Sequence, residues 1–351
     1  MSNFDDALER FHLVDLEYAG GLANHGPMGA EALESLGHQA KIPAFVDIYA
    51  PRLPPLRRGE VLAEAARADA LGDIHRSPDW VTTFETLVEA GDWRSVLREE
   101  VPVLLPGLFA AAGHGLLRAA HAVRALERED SPLRRRELAH GLAYWAARFQ
   151  ILPGEPGSAG ARDVASALDA WPMLGEAEAR AGYFFHAVQN LNGWSPFVEA
   201  VAATSLPAPN AIPSFLDTLC RTAAALYVQH PGSRIAYVHA VTIPSALRFI
   251  LPHLAPEDGV RAAGYTLQAV GALHSLFGDP ASVAEEDAEV LRAAGDWDEV
   301  RYHAACSIQE HAIKMTEACW REYKHAPDPI FERAGADAAL QIGGRGDISV
   351  C

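Results

Sequence analysis

The chain has 351 residues, longer than a usual domain yet compatible with one large helical unit. Hydrophobic residues make up 49% and charged residues 21%, so a sizeable core can be buried and global disorder is excluded. A formal charge of −17, from 46 acidic and 29 basic residues, repels nucleic-acid phosphates and anionic lipid, and neither is expected as a partner.

The opening MSNFDDALERFHL has no basic stretch followed by an apolar one, and no apolar run looks long enough to span a bilayer, so the expected location is the cytoplasm. PRLPP at 51–55 reads as a loop. From 78 to 129 the sequence is rich in Ala, Leu, Glu and Arg, with apolar residues three and four apart, which predicts helices. Within it, Asp92 of the Gly-Asp pair caps one helix, as Asp296 does in the similar AAGDWDEV. Further loops are expected at 152–163 (LPGEPGSAGARD), 206–214 and 251–259. Only RIAYVHAVTI at 234–243 hints at a strand. After about 326 the periodicity weakens. The reading is all-α: a large single helical domain over 1–325, then a C-terminal extension, 326–351, partly mobile. Cys220, Cys306, Cys319 and Cys351 lie far apart without a CxxC pair and are expected to be reduced.

Of the 15 histidines, several precede Gly or Ala and then apolar residues: His25, His114, His121, His140, His186, His239 and His311. Small neighbours let helices approach, so an imidazole can point inward. Several converging from different helices would form a metal site inside the bundle, imidazole being a common ligand for iron and zinc. The plain alternative for each is a hydrogen-bonded core residue. His140, beside Tyr144, Trp145 and Phe149, is expected to pack in this way. His12, His38, His75, His230, His253 and His325 sit in polar or loop contexts and are expected at the surface.

His303, Ser307, His311 and Lys314 fall at spacings that place them on one face of a helix expected near 303–323. That face either lines a site or is a solvated stripe in which Lys314 pairs with Glu310 and Glu317. Lys314 stands out because the chain has only three lysines. A lysine desolvated beside a metal has a depressed pKa, and its free amine can take up carbon dioxide to become a carbamate, an anionic oxygen ligand. Other chemistries lack their motifs. There is no G-x-S-x-G, P-loop or HExxH; GEPGSAG at 154–160 follows no strand; and Glu310 directly precedes His311 rather than forming a Glu-x-x-His pair.

GGLANHGPMGAEALESLG at 20–37, GHGLLRAAHAVRAL at 113–126, YVHAVTIPSALRFILPHL at 237–254 and EHAIKMTEACW at 310–320 resemble the questin oxidase-like family. The blocks span about 20 to 320, most of the chain. The resemblance implies an oxygenase that uses dioxygen to open or cleave a ring of an anthraquinone-like aromatic polyketide. It implies Fe(II) held by His25, His114, His239, His311 and a carboxylated Lys314, with His121 an alternative to His114. His121 and His186 are the expected proton donors or acceptors, and Tyr183, Phe184, Phe185, Trp194, Tyr237 and Trp297 the expected aromatic walls. The family also carries a second description, an NADPH-dependent Baeyer–Villiger-type oxygenase with NADPH as external reductant and no tightly bound iron. A non-catalytic helical ligand-binding protein is the third alternative. The expected partners are an aromatic small molecule and dioxygen, in a monomer or homodimer.

Overall fold

A computed structural model describes residues 2–157, 159–175 and 180–344. The chain is all-α. Among the described residues the only paired strands are Glu17–Tyr18 and Leu22–Ala23, an antiparallel hairpin of two residues each. Helix starts follow local chemistry. Ser2, Asp92, Ser131 and Asp296 accept hydrogen bonds from first-turn amides, and Pro27, Pro132 and Pro256 stand where a missing N–H costs nothing. The 234–243 stretch is helical and belongs to helix Arg234–Ile250, not a strand.

Two helices, Ala110–Arg128 and Pro132–Ala147, form a close hairpin. A Cβ at Gly141 would lie 2.7 Å from the Ala119 nitrogen, and one at Gly115 would lie 2.5 Å from the Trp145 Cα, so the backbones could not approach this closely with larger residues. Helices Ile212–Gln229, Arg234–Ile250 and Pro256–Phe277 pack consecutively. Residues Pro231–His253 are in fact long and apolar enough to cross a bilayer, against the sequence expectation, but 72% of that window is buried inside the protein, as in a core helix.

Helices Gly26–Ser35, Ala110–Arg128, Arg234–Ile250 and Glu310–His325 form a closed ring, each packed on the next. Each carries or abuts one histidine of the candidate site.

Several expectations need correction. The helix expected near 303–323 is two helices, Trp297–Ser307 and Glu310–His325, separated by Ile308 in the left-handed region at φ 56°. The break removes His303 from the face of His311, and His303 turns outward beside Glu299 at 3.6 Å. His12 and His230 are buried, not at the surface: each caps a helix C-terminus, where the chain turns back into the core. Residues placed in the C-terminal extension form helix Pro329–Asp337 and a π turn, Ala338–Ile342, with Phe331 and Ala334 in the main core. The stretch 345–351, where mobility was expected, lies outside the described residues. Cys220 and Cys319 are free and buried, whereas Cys306 is disulfide-bonded, not reduced.

Candidate metal centre

His25, His114, His239 and His311 converge so that one ring nitrogen from each lies within 4.8 Å of the others. The backbone aims each ring. His25 precedes helix Gly26–Ser35, its own N–H donates to the Tyr49 hydroxyl at 2.9 Å, and its Nδ1–H donates to the Ala23 carbonyl at 2.7 Å. His239 Nδ1–H donates to the Ile235 carbonyl, one turn earlier, at 2.7 Å. Before His114 the chain runs through three left-handed residues, Ala111, Ala112 and Gly113, at φ 47°, 60° and 80°, and His114 Nδ1–H donates to the Ala111 carbonyl. Two alanines in that region cost about 1–2 kcal/mol each, strain that persists only where surrounding packing holds it.

A carbonyl can only accept, so the Nδ1 of His25, His114 and His239 must carry the proton. The Nε2 of each neutral ring is then a bare lone pair. Those lone pairs face one another: His114 Nε2 is 2.8 Å from His25 Nε2 and 3.2 Å from His239 Nε2. Lone pairs at such distances repel unless a cation lies among them. A metal–imidazole bond of about 2.0–2.1 Å puts right-angled neighbours about 3 Å apart, which matches these separations. Protons are a poor substitute for such a cation. Burial first, then Lys314 and the neighbouring rings, hold His25 and His114 well below the usual histidine range; burial and the adjacent imidazoles do the same for His239. His311 is also lowered by burial, with Glu310 opposing; its Nδ1 lies 3.4 Å from Glu310 Oε1.

Lys314 is buried, and its Nζ has no hydrogen-bond partner. Burial lowers it from 10.5 to about 7, with Glu310 opposing. The solvated stripe is therefore not what forms. Glu317 is taken by Arg124 from another helix, and Glu310 keeps one buried oxygen, Oε2, without a partner. A divalent metal among four neutral imidazoles would leave two positive charges; a Lys314 carbamate and the Glu310 carboxylate would balance them.

His121 stands two turns beyond His114 on the same helix face and lies outside the cluster. Its Nδ1 meets Glu31 Oε2 at 2.6 Å. Glu31 is buried; burial alone would raise its pKa, but Arg124 and His121 hold the carboxyl well below the ordinary range. Arg124 bridges Glu31 and Glu317, and Arg128 reaches Glu31 Oε1 at 2.6 Å. This network fastens the helices of His25, His114 and His311 together, and its members Glu31, Arg124 and Glu317 carried no motif in the sequence. Tyr49, whose hydroxyl accepts from the His25 N–H, was missed for the same reason, and Glu310 was read only as a partner of Lys314.

Above the histidines lies a cavity of about 250 Å³ walled by Leu22, Ala111, Tyr183, Phe184, Phe185 and Ile235. Three of the six expected aromatics line it; Trp194, Tyr237 and Trp297 do not. His186 is exposed beside Phe185 and does not line the cavity either. The Tyr183 hydroxyl is committed to the Ala19 carbonyl.

A second group, His12, Glu137 and His140, also meets metal-ligand spacing. There Arg118 already occupies both Glu137 oxygens, at 2.6 and 2.9 Å, so a cation is in place and the carboxylate is spent. His140 is packed in the core, with Nε2 2.9 Å from Glu85 and Nδ1 buried without a partner.

No family model matches the chain, and no curated protein matches it.

Proposed function

We propose that the four-histidine centre holds ferrous iron, with carboxylated Lys314 as a fifth ligand, in an oxygenase acting on a flat polycyclic aromatic of the anthraquinone kind. One observation supports this reading above all: three Nε2 lone pairs converge because their Nδ1 protons are tied to carbonyls. Zinc would satisfy imidazoles equally well. The likeness of the NHGPM, HAVT and HAIK blocks to questin oxidase-like proteins favours iron and the ring-opening reaction, in a cytoplasmic protein.

Iron bound there would supply the capacity to activate dioxygen and to take a phenolate oxygen. The chain supplies the rest. Leu22, Phe184, Phe185 and Ile235 offer flat apolar contact and exclude water from the histidines. The carbonyls of Ala23, Ala111 and Ile235 fix each ring's tautomer, so that Nε2 faces the cavity. Glu310 holds a negative charge beside His311 and Lys314. The cavity wall carries no uncommitted hydroxyl among its described residues, so protons exchanged in the reaction come from the substrate or from solvent.

The test is metal analysis of the purified protein, followed by anaerobic Fe(II) loading and oxygen-uptake assays with hydroxylated anthraquinones. Stoichiometric iron, lost in His239→Ala, is expected. Protein that binds no iron and gains no activity on loading sinks the proposal. Oxygen uptake that needs NADPH and survives chelators would establish the reductant-dependent alternative instead.

A further inference from the structure

A second chamber of about 410 Å³ lies against the outer side of the histidine cavity. The two share Phe184 and Ile235 as walls. The Phe184 ring meets His239 edge-on at 5.2 Å on the inner side and Phe277 at 5.1 Å on the outer. Phe184, on the single-turn helix Phe184–Ala187, and Ile235 therefore stand between the chambers. The inner cavity alone falls below the roughly 300–1,000 Å³ usual for small-molecule sites, and the joined space lies within that range.

The outer chamber has a different electrostatic character. Two guanidiniums, Arg180 and Arg234, stand in its wall. Arg234 is committed, its Nε and Nη2 holding Asp337 at 2.8 and 3.0 Å while Nη2 also reaches Glu285 at 3.1 Å. Arg180 is not. Its Nη2 donates to the Gly278 carbonyl at 3.1 Å, its Nε is buried without an acceptor, and no carboxylate among the described residues pairs with it. Arg180 therefore keeps donor capacity at the chamber wall that a ligand anion could take up. The first turn of helix Arg234–Ile250 opens on the same chamber, and the Ser233 side chain does not cap it, which adds a positive helix end.

We propose that the outer chamber is an anion subsite of the histidine cavity, and that the natural ligand is an aromatic acid. Its flat ring system lies over the histidines, Phe184 moves aside to join the chambers, and its carboxylate pairs with Arg180. This names the substrate class for the function proposed above and rests on that reading.

Fluorescence titration of the full-length protein with anthracene-2-carboxylate and with anthracene-2-carboxamide compares a charged and a neutral probe of one shape. The acid is expected to bind about tenfold more tightly or better. Arg180→Gln should erase that preference while changing the carboxamide Kd by less than about twofold. Arg221→Gln, in a separate groove, should leave it intact. Equal binding of the two probes by the unaltered protein overturns the proposal, and so does failure of both to bind. A preference that survives Arg180→Gln overturns it as well, by placing the carboxylate on the histidines. Iron content is measured in the same preparation. Iron absent with the acid preference intact refutes the metal reading alone; iron present without the preference refutes the subsite alone.

Discussion

Replacing Lys314 with methionine separates what the centre costs in stability from what it contributes to binding. The Nζ is buried without a partner, and burial holds it at about 7 instead of 10.5. Between those two values the unfolded chain carries a proton that the folded chain does not, so stability rises with pH across the window and the full penalty applies below it. That penalty is on the order of 4 kcal/mol, part of which is offset if the site relaxes around the charge. Methionine has a similar length and no charge to desolvate. Metal-free Lys314→Met is therefore expected to gain about 2–4 kcal/mol at about pH 6.5, with the gain shrinking toward pH 10. The same variant cannot form the carbamate, in which the neutral amine adds to carbon dioxide and releases one proton. Its iron affinity should fall and cease to respond to bicarbonate. Urea denaturation of chelator-treated protein, and Fe(II) titration with and without bicarbonate, read the two effects. A variant less stable than its parent without metal, or an affinity that still rises with bicarbonate, refutes the reasoning.

Burial holds His140 and His274 at about 4, so between 6.5 and about 4 the unfolded chain takes up protons that the folded chain refuses. Stability should fall across that window by on the order of 3 kcal/mol per residue; urea midpoints that stay flat from neutral pH down to 4 would contradict this. Glu31→Gln leaves Arg124 without its strongest partner and should destabilise by about 3–5 kcal/mol, measured by thermal unfolding, and weaken iron binding because three ligand helices lose their common tie. Ala112→Gly relieves a left-handed residue and should raise stability by about 1 kcal/mol, whereas an unchanged or lower melting temperature would show that the turn is unstrained.

Much of the fold could be read in advance, because helix composition and Asp or Ser caps are local signals and their effects are local. The histidine signature was less discriminating. It picked out His25, His114, His239 and His311, but also His140 and His186, which sit elsewhere. His114 and His121 share a helix face, and no pattern within that helix says at which depth the other three rings arrive. The answer lies in Glu31, which draws His121 into an ion network from 90 residues away. Lys314 shows the same limit. Glu310 and Glu317 stand at good pairing distances along its helix, and only tertiary packing reveals that Arg124 takes Glu317 and leaves the amine alone. The left-handed Ile308, which splits the expected 303–323 helix, follows no glycine or proline and could not be foreseen.

The ring of four helices draws its members from nearly the whole length of the chain, from His25 to Lys314. Contacts of such separation form late, since chain closure over long loops precedes any reward. On the ribosome, a nascent chain would expose three imidazoles and a half-built apolar cavity for as long as the final ligand helix remained in the exit tunnel. If the centre binds a metal as proposed, only a chain synthesised through its last ligand helix could capture it.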